Sequence, residues 1–227
     1  MGFVKQEILK YYNQQEDRLY LQDNRGLDLD PYYYNEVDTF FTPDECDYMT
    51  HIVLRDEERI KAIPNPSTKP YKGLTRQHDV YNWLNHPDFQ RLNIPQRLLG
   101  LDEFKDLDWV LLQCWCNVLR QGEDLHRHFH EYHPNQVIPC NMFLSGNPKT
   151  GTHYYRDAGD SYTPNEVGKL TIVGHRLEHE VKTNQYQQPR VSMALDVYVK
   201  KPMYQKTVSY QNRYVLYCKS DGESETL

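Results

Sequence analysis

No stretch of the chain approaches the roughly eighteen consecutive apolar residues that a membrane-spanning helix needs. The segment Met1 to Gln15 carries two lysines and no apolar centre of the kind a signal peptide has, so a cytoplasmic protein without membrane attachment is expected. Basic clusters are missing too. The longest Lys/Arg block is the pair Lys200-Lys201, and 32 acidic against 26 basic residues leave a net charge of −6. Neutralising phosphates takes a basic face, so this composition argues against nucleic acid and for a small-molecule or peptide partner. Cysteine is scarce: Cys46, Cys114, Cys116, Cys140 and Cys218 are an odd number without a Cys-x-x-Cys spacing. That excludes a disulfide-stapled scaffold and fits reduced thiols, with Cys114 and Cys116 packed on one face of a strand. Internal repeats and low-complexity tracts are absent as well.

What is present is aromatic area. Hydrophobic residues make up only 38%, yet 19 tyrosines bring the aromatic share to 13%, enough amphipathic surface for a folded chain. Its 227 residues suit one domain with decorations: an arm over 1–35, a domain over 36–218 and a flexible tail over 219–227. In "FFTPDEC", Thr42 precedes Pro43 and, three residues on, Glu45. This is a capping-box start for a helix expected over Pro43 to Arg55. The proline-rich segment from Ile63 to Gly73 reads as loop, "QHDVYNWL" as a strand, and "HPDFQRL" as a second helix that Pro95 interrupts or kinks. From Asp108 onward the period is mostly two. "DWVLLQCWCNVLR", "VIPCNMFL", "THYY", "KLTIV", "RVSMALDVYV" and "TVSYQNRYVLYC" are short strands parted by Gly, Pro, Asn and Asp. Six strands after two helices predict a mainly β fold with α: an antiparallel double-sheet barrel with helices outside one sheet.

Chemistry concentrates in "GEDLHRHFHEYH", which holds His126, His128, His130 and His133. On an unbroken strand the first three face one way, and imidazoles two apart can converge on one divalent ion. On those residues alone a metal site and a solvated histidine-rich loop explain the string equally well. His179 follows the apolar strand "KLTIV", which can return it across the barrel to the first cluster. In "RVSMALDV" the polar Arg190, Ser192 and Asp196 alternate with Val191, Met193, Leu195 and Val197. An inward guanidinium beside a hydroxyl suits a carboxylate, whereas the bland role for Arg190 is an ion pair with Glu178 or Glu180. His175 reads as a turn residue, and His78, His86 and His133 as solvated or cap-like.

These segments resemble the Fe(II)- and 2-oxoglutarate-dependent oxygenases of the double-stranded β-helix, or jelly-roll, fold. "GKLTIVGHRLEHEV" is similar to the family's strand, turn and distal histidine, and "RVSMAL" to its Arg-x-Ser segment. "FFTPDEC" and "WCNVLRQGE" extend the likeness over roughly residues 38 to 199. The resemblance implies Fe(II) held by His128, His130 and His179, with 2-oxoglutarate as cosubstrate bound at Arg190 and Ser192. It departs from the family where His130 replaces the usual Asp or Glu, as in a bacterial and phage branch carrying His-x-His; His126 and Glu131 stand as alternative donors. It departs again at Phe143, where relatives often have a hydrogen-bonding tyrosine, so Asn141 and Asn117 are the polar substitutes. The implied activity is a dioxygenase that couples oxidative decarboxylation to hydroxylation of a peptide, amino acid or small metabolite. A three-histidine cupin-type dioxygenase without 2-oxoglutarate, and a noncatalytic jelly-roll module binding Zn(II), remain the alternatives.

Overall fold

The computed structural model describes residues 29–67, 72–130, 137–156, 159–199 and 215–218, and among the described residues there are ten strands and three short-to-medium α-helices. The strands form two antiparallel sheets. The larger has the order β1(Tyr34–Val37), β7(Leu170–Val173), β4(Val137–Ser145), β9(Arg190–Tyr198), β2(Trp109–Leu119), β10(Val215–Cys218). The smaller has the order β3(Leu125–His128), β8(Glu178–Val181), β5(Thr152–Tyr155), β6(Ser161–Thr163). From β2 to β9 the chain passes repeatedly between the two sheets, which is the double-stranded β-helix expected.

The alternation of side chains explains why the larger sheet can serve two environments. Val191, Met193, Leu195 and Val197 of β9 join the apolar core, while Arg190, Ser192, Ala194 and Asp196 on the other face line a cavity between the sheets. β2 divides in the same way, with Cys114 and Cys116 in the core and Trp115 and Asn117 at the cavity. Both thiols are fully buried and burial pushes their pKa values well above the ordinary thiol range, so they pack as inert apolar groups. Cys46 and Cys140 are likewise free and buried.

The apolar face is covered by α1(Pro43–Lys61) through Cys46, Met49, Ile52, Val53 and Ile60. Each such side chain contributes about 1.5–3 kcal/mol on burial. The capping box is formed: the Glu45 N–H donates to Thr42 Oγ1 at 3.3 Å, and the Thr42 N–H donates to Glu45 Oε2 at 2.9 Å. The helix runs six residues beyond the expected Arg55. Glu57 and Ile60 keep the buried face going, and nothing opposes helix until the residues before Pro64 and Pro66 are pushed toward extended backbone.

"QHDVYNWL" is the one element whose type differs from expectation. It forms 3₁₀ turns at Gly73–Asp79 and Trp83–Asn85 in place of a strand. Side chains take over the local backbone: the Leu84 N–H donates to Asn82 Oδ1 at 3.0 Å, and Asn82 Nδ2 donates to the Leu112 carbonyl at 2.8 Å. Gln113 Nε2 also donates to the His78 carbonyl at 2.7 Å, holding the turn across the cavity's rim. The following helix is split into α2(Pro87–Gln90) and α3(Ile94–Leu99). The break falls at Asn93, whose φ of 50° is left-handed, and Pro95 sits in the first turn of α3, where its missing N–H costs nothing.

Tyr34 and Asn35, expected at the end of the arm, open β1 and pair with β7. Tyr33 Oη donates to Glu103 at 2.9 Å and Tyr34 packs edge-on against Tyr154 at 5.1 Å, so this tyrosine cluster docks on the domain. The rest of the arm up to residue 28, most of "TVSYQNRYVLYC" before Val215, and the tail lie outside the described residues. No helix among the described residues is long and apolar enough to cross a membrane.

Candidate metal centre and anion pocket

His128 and His179 stand directly opposite each other on β3 and β8. The turn that leads into β3 is tied to the loop that leaves β8: the Gly122 N–H donates to the Asn184 carbonyl at 2.9 Å, and the Asn184 N–H to the Glu123 carbonyl at 2.8 Å. Within β3 the register shifts, so that Leu125 pairs with Val181 but His128, three residues on, pairs with His179 only two residues back. This extra residue is a β-bulge, and it reverses the alternation expected of the histidine string. His126 turns out to solvent, its side chain 88% exposed, while Leu125 and His128 both face the cavity.

His130 follows the strand, held by its N–H donating to the His175 carbonyl at 3.1 Å. The three rings cluster, with centroids 4.4 Å apart for His128 and His179, 5.6 Å for His128 and His130, and 5.4 Å for His130 and His179. One ring nitrogen from each lies within 4.8 Å of the others. Which nitrogen that is follows from the second nitrogen's partner. His128 Nδ1 lies 2.7 Å from the His126 carbonyl and His179 Nδ1 lies 2.9 Å from the Leu177 carbonyl, acceptors that place the proton on Nδ1. His130 Nδ1 lies 2.7 Å from Asp196 Oδ1. All three Nε2 lone pairs are thereby left for a shared ion. Burial, reinforced by the neighbouring imidazoles, pushes the His128 pKa down to about 4 and that of His179 well below the usual imidazole value. Unprotonated rings at neutral pH are what a divalent cation requires.

On the facing sheet Arg190 is fully buried. Its Nε donates to the Thr150 carbonyl at 2.8 Å, one Nη to Ser192 Oγ at 2.7 Å and the other to Thr152 Oγ1 at 3.2 Å. The guanidinium carbon stands 5.5 Å from the centre of the Phe143 ring. No carboxylate among the described residues pairs with it: Glu178 is engaged by Arg127, and Glu180 by Lys182 and Tyr155. Burial alone lowers its pKa from 12.5 to about 10, which still leaves it charged at neutral pH. A desolvated cation without a counter-charge among the described residues is chemically suited to take up an anion. Its backbone is held by a close approach at Gly146, where φ is 127° and a Cβ would come within 2.9 Å of Arg190 Cα.

The remaining expected residues divide. Asn117 and Asn141 both line the cavity. Asn117 Oδ1 accepts from Thr75 Oγ1 at 2.6 Å, whereas the buried Asn141 Nδ2 has no hydrogen-bond partner among the described residues. His175 is in a turn, as expected. His78 and His86 are buried, not solvated: His86 caps α2 and reaches Asp56 at 2.8 Å, and His78 lines the cavity beside Trp115. Their imidazoles satisfy local backbone and carboxylate groups, which is why they can leave water. Glu131 and His133 lie outside the described residues.

Two residues of the site were not singled out from the sequence, and a third was read only as a polar member of β9. Thr152 and Tyr154 share one face of β5, a placement that the alternation of "THYY" contains but that becomes informative only beside Arg190 and His179. Tyr154 is buried, shares a 2.8 Å hydrogen bond with Thr171 Oγ1 and stands 5.7 Å from the His179 ring. It supplies a buried phenol near the position where Phe143 has none, and burial pushes its pKa up, so the hydroxyl remains a donor. The third is Asp196, the partner of His130. Histidines, Arg190 and Asp196 together border one cavity of about 260 Å³.

No protein-family model matches the chain, and no curated protein matches it in sequence. Solved structures do match it in shape. A non-heme monooxygenase, ThoJ, in complex with nickel superposes with a TM-score of 0.61 at 10% identity, over 84% of this chain and 82% of that one. SnoN, a non-heme alpha-ketoglutarate-dependent epimerase from nogalamycin biosynthesis, gives 0.53 at 14% identity over the same shares, 84% and 82%. HygX from Streptomyces hygroscopicus with nickel and 2-oxoglutarate bound gives 0.50 at 15% identity, over 77% of this chain and 84% of that one. The chain therefore has the double-stranded β-helix fold on which these non-heme metalloenzymes are built.

Proposed function

We propose that the protein is an Fe(II)- and 2-oxoglutarate-dependent dioxygenase that hydroxylates a small molecule, amino acid or peptide in the cytoplasm. The observation that carries this reading is the joint occupancy of one cavity by three imidazoles with converging ring nitrogens and a buried guanidinium lacking a carboxylate partner among the described residues. His128, His130 and His179 would hold the ion. Arg190 and Ser192 would receive the far carboxylate of the cosubstrate, with Asn141 Nδ2 and Asn117 as further polar groups on the same sheet and Tyr154 on the facing one.

Charge supports a dianion. A coordinated imidazole is neutral, so the ion's two charges and that of Arg190 face the single negative charge of Asp196; a dicarboxylate closes the difference. When bound, Fe(II) supplies the oxygen-activating chemistry, driven by oxidative decarboxylation of the keto acid. The protein orients the reactants: the guanidinium fixes one end of the cosubstrate, and the turn carrying Thr75 and His78 borders the side from which substrate enters. Neighbours with this fold include a nickel complex of a monooxygenase and a 2-oxoglutarate complex of HygX, which is the support that fold likeness offers. A cupin-type reaction without a keto acid would need Arg190 to bind an anionic substrate directly.

Anaerobic addition of 2-oxoglutarate to the Fe(II)-loaded protein tests the proposal. A visible metal-to-ligand charge-transfer band, followed by succinate formation on admitting oxygen, is expected. Saturating metal with neither band nor succinate would overturn it.

A further inference from the structure

The three histidines are not held alike. His128 and His179 each present Nδ1 to a neutral backbone carbonyl, whereas His130 presents Nδ1 to a carboxylate 2.7 Å away. Asp196 is 3% exposed, in the middle of β9, across from Gln113 and Pro139 on the adjoining strands. Burying a carboxylate there is costly unless it is well paired. Among the described residues its pairing is nevertheless incomplete: Oδ2 receives a long 3.5 Å contact from Tyr198 Oη, and no donor is aligned on Oδ1 despite the closeness of His130. Among the described residues lining the cavity it is the sole anionic side chain.

We propose that Asp196 is a positioning residue of the metal centre, holding His130 by Nδ1 and lending negative charge to an otherwise neutral set of ligands. The inference rests on the metal-centre reading given above. A cation on Nε2 would polarise the imidazole and strengthen the Nδ1–H as a donor to the carboxylate 2.7 Å away. His130 then becomes the strongest electron donor of the three, and the ferric state of a bound iron is stabilised relative to the ferrous. Trp115 stacks beside His130, with ring centroids 6.1 Å apart.

Asp196→Asn separates this role from a purely structural one, since it keeps the shape and an acceptor oxygen but removes the charge. Metal-free protein is titrated with Ni(II) by calorimetry, and the Fe(III)/Fe(II) midpoint potential of iron-loaded protein is measured. The variant is expected to bind Ni(II) about 10- to 100-fold more weakly and to show a higher potential, with the melting temperature of the metal-free chain unchanged or raised. Wild-type affinity and potential in the variant would overturn the assignment while leaving the metal centre standing; failure of the wild-type chain to bind one equivalent of Ni(II) would remove both. Should the variant not fold, the wild-type chain loaded with Zn(II) gives an independent reading. The Nδ1 proton of His130 should resonate downfield of those of His128 and His179 in nitrogen-labelled protein, and three equivalent resonances would overturn the proposal.

Discussion

Arg190→Met distinguishes a cation kept for a ligand from one kept for the fold. Burial depresses the pKa of the guanidinium from 12.5 to about 10, a penalty of about 3 kcal/mol at about 1.4 kcal/mol per unit. Its three hydrogen bonds, to Thr150, Ser192 and Thr152, return about 1 kcal/mol each. The two effects nearly cancel, and methionine fills a similar elongated space. The ligand-free variant should therefore lie within about 2 kcal/mol of wild type, about 4–8 °C in melting temperature for a chain of this size. Dicarboxylate binding should respond quite differently. A charge-assisted, forked contact is worth about 1.5–3 kcal/mol, so 2-oxoglutarate should bind the Ni(II)-loaded variant about 10- to 150-fold more weakly by calorimetry. A keto acid without the second carboxylate, such as 2-oxobutyrate, should bind both proteins equally. Because the folded-state pKa of this cation is lowered, the penalty is constant below about pH 10 and is relieved only as the pH rises through that value. Comparisons between pH 6 and 9 are thus free of its titration. A variant destabilised by more than about 4 kcal/mol that still bound 2-oxoglutarate normally would refute the reasoning.

Ni(II) at about one hundred times its dissociation constant should stabilise the wild-type chain by about 2.7 kcal/mol, a rise of roughly 5–10 °C by scanning calorimetry. His179→Ala should abolish that rise, whereas His126→Ala, at the exposed position, should keep it. Away from the cavity, Glu57→Gln should cost about 1–3 kcal/mol in urea unfolding at pH 7, since a nearly buried carboxylate accepts two Arg120 donors at 2.9 and 2.6 Å while Arg120 itself stays half exposed. The Arg120 guanidinium holds the Glu57 pKa below the ordinary glutamate value. The stabilisation is therefore present above that ordinary value and is lost as pH falls through the lowered one, so wild type and variant should converge in acid. A constant difference down to pH 3 would show that packing, not charge, carries the effect.

Much of the architecture could be read locally because its causes are local. The capping box at Thr42 and Glu45 involves residues three apart, and the two faces of β9 follow from the period of two. "QHDVYNWL" shows the limit of that reading. Its alternation resembles a strand, but Asn82 diverts the backbone hydrogen bonds to a side chain and to Leu112, a residue on a different element. Helix α1 overran its expected end for a related reason, since burial of Ile60 against the sheet extends a face whose partner is remote in sequence.

The sequence by itself determined the chemistry available: a cluster of imidazoles, an arginine followed two residues on by serine, and a β period that turns the arginine and the serine to one face. Tertiary structure alone decided which imidazoles meet. The bulge between Leu125 and His128 turns His126 outward, and it exists because β3 pairs with β8. Tertiary structure likewise brought Asp196 to His130, set Tyr154 beside His179 and left Arg190 without a carboxylate partner among the described residues. A side-chain pattern is a property of a few adjacent residues, whereas register, burial and the pairing of charges belong to strands brought together from distant parts of the chain.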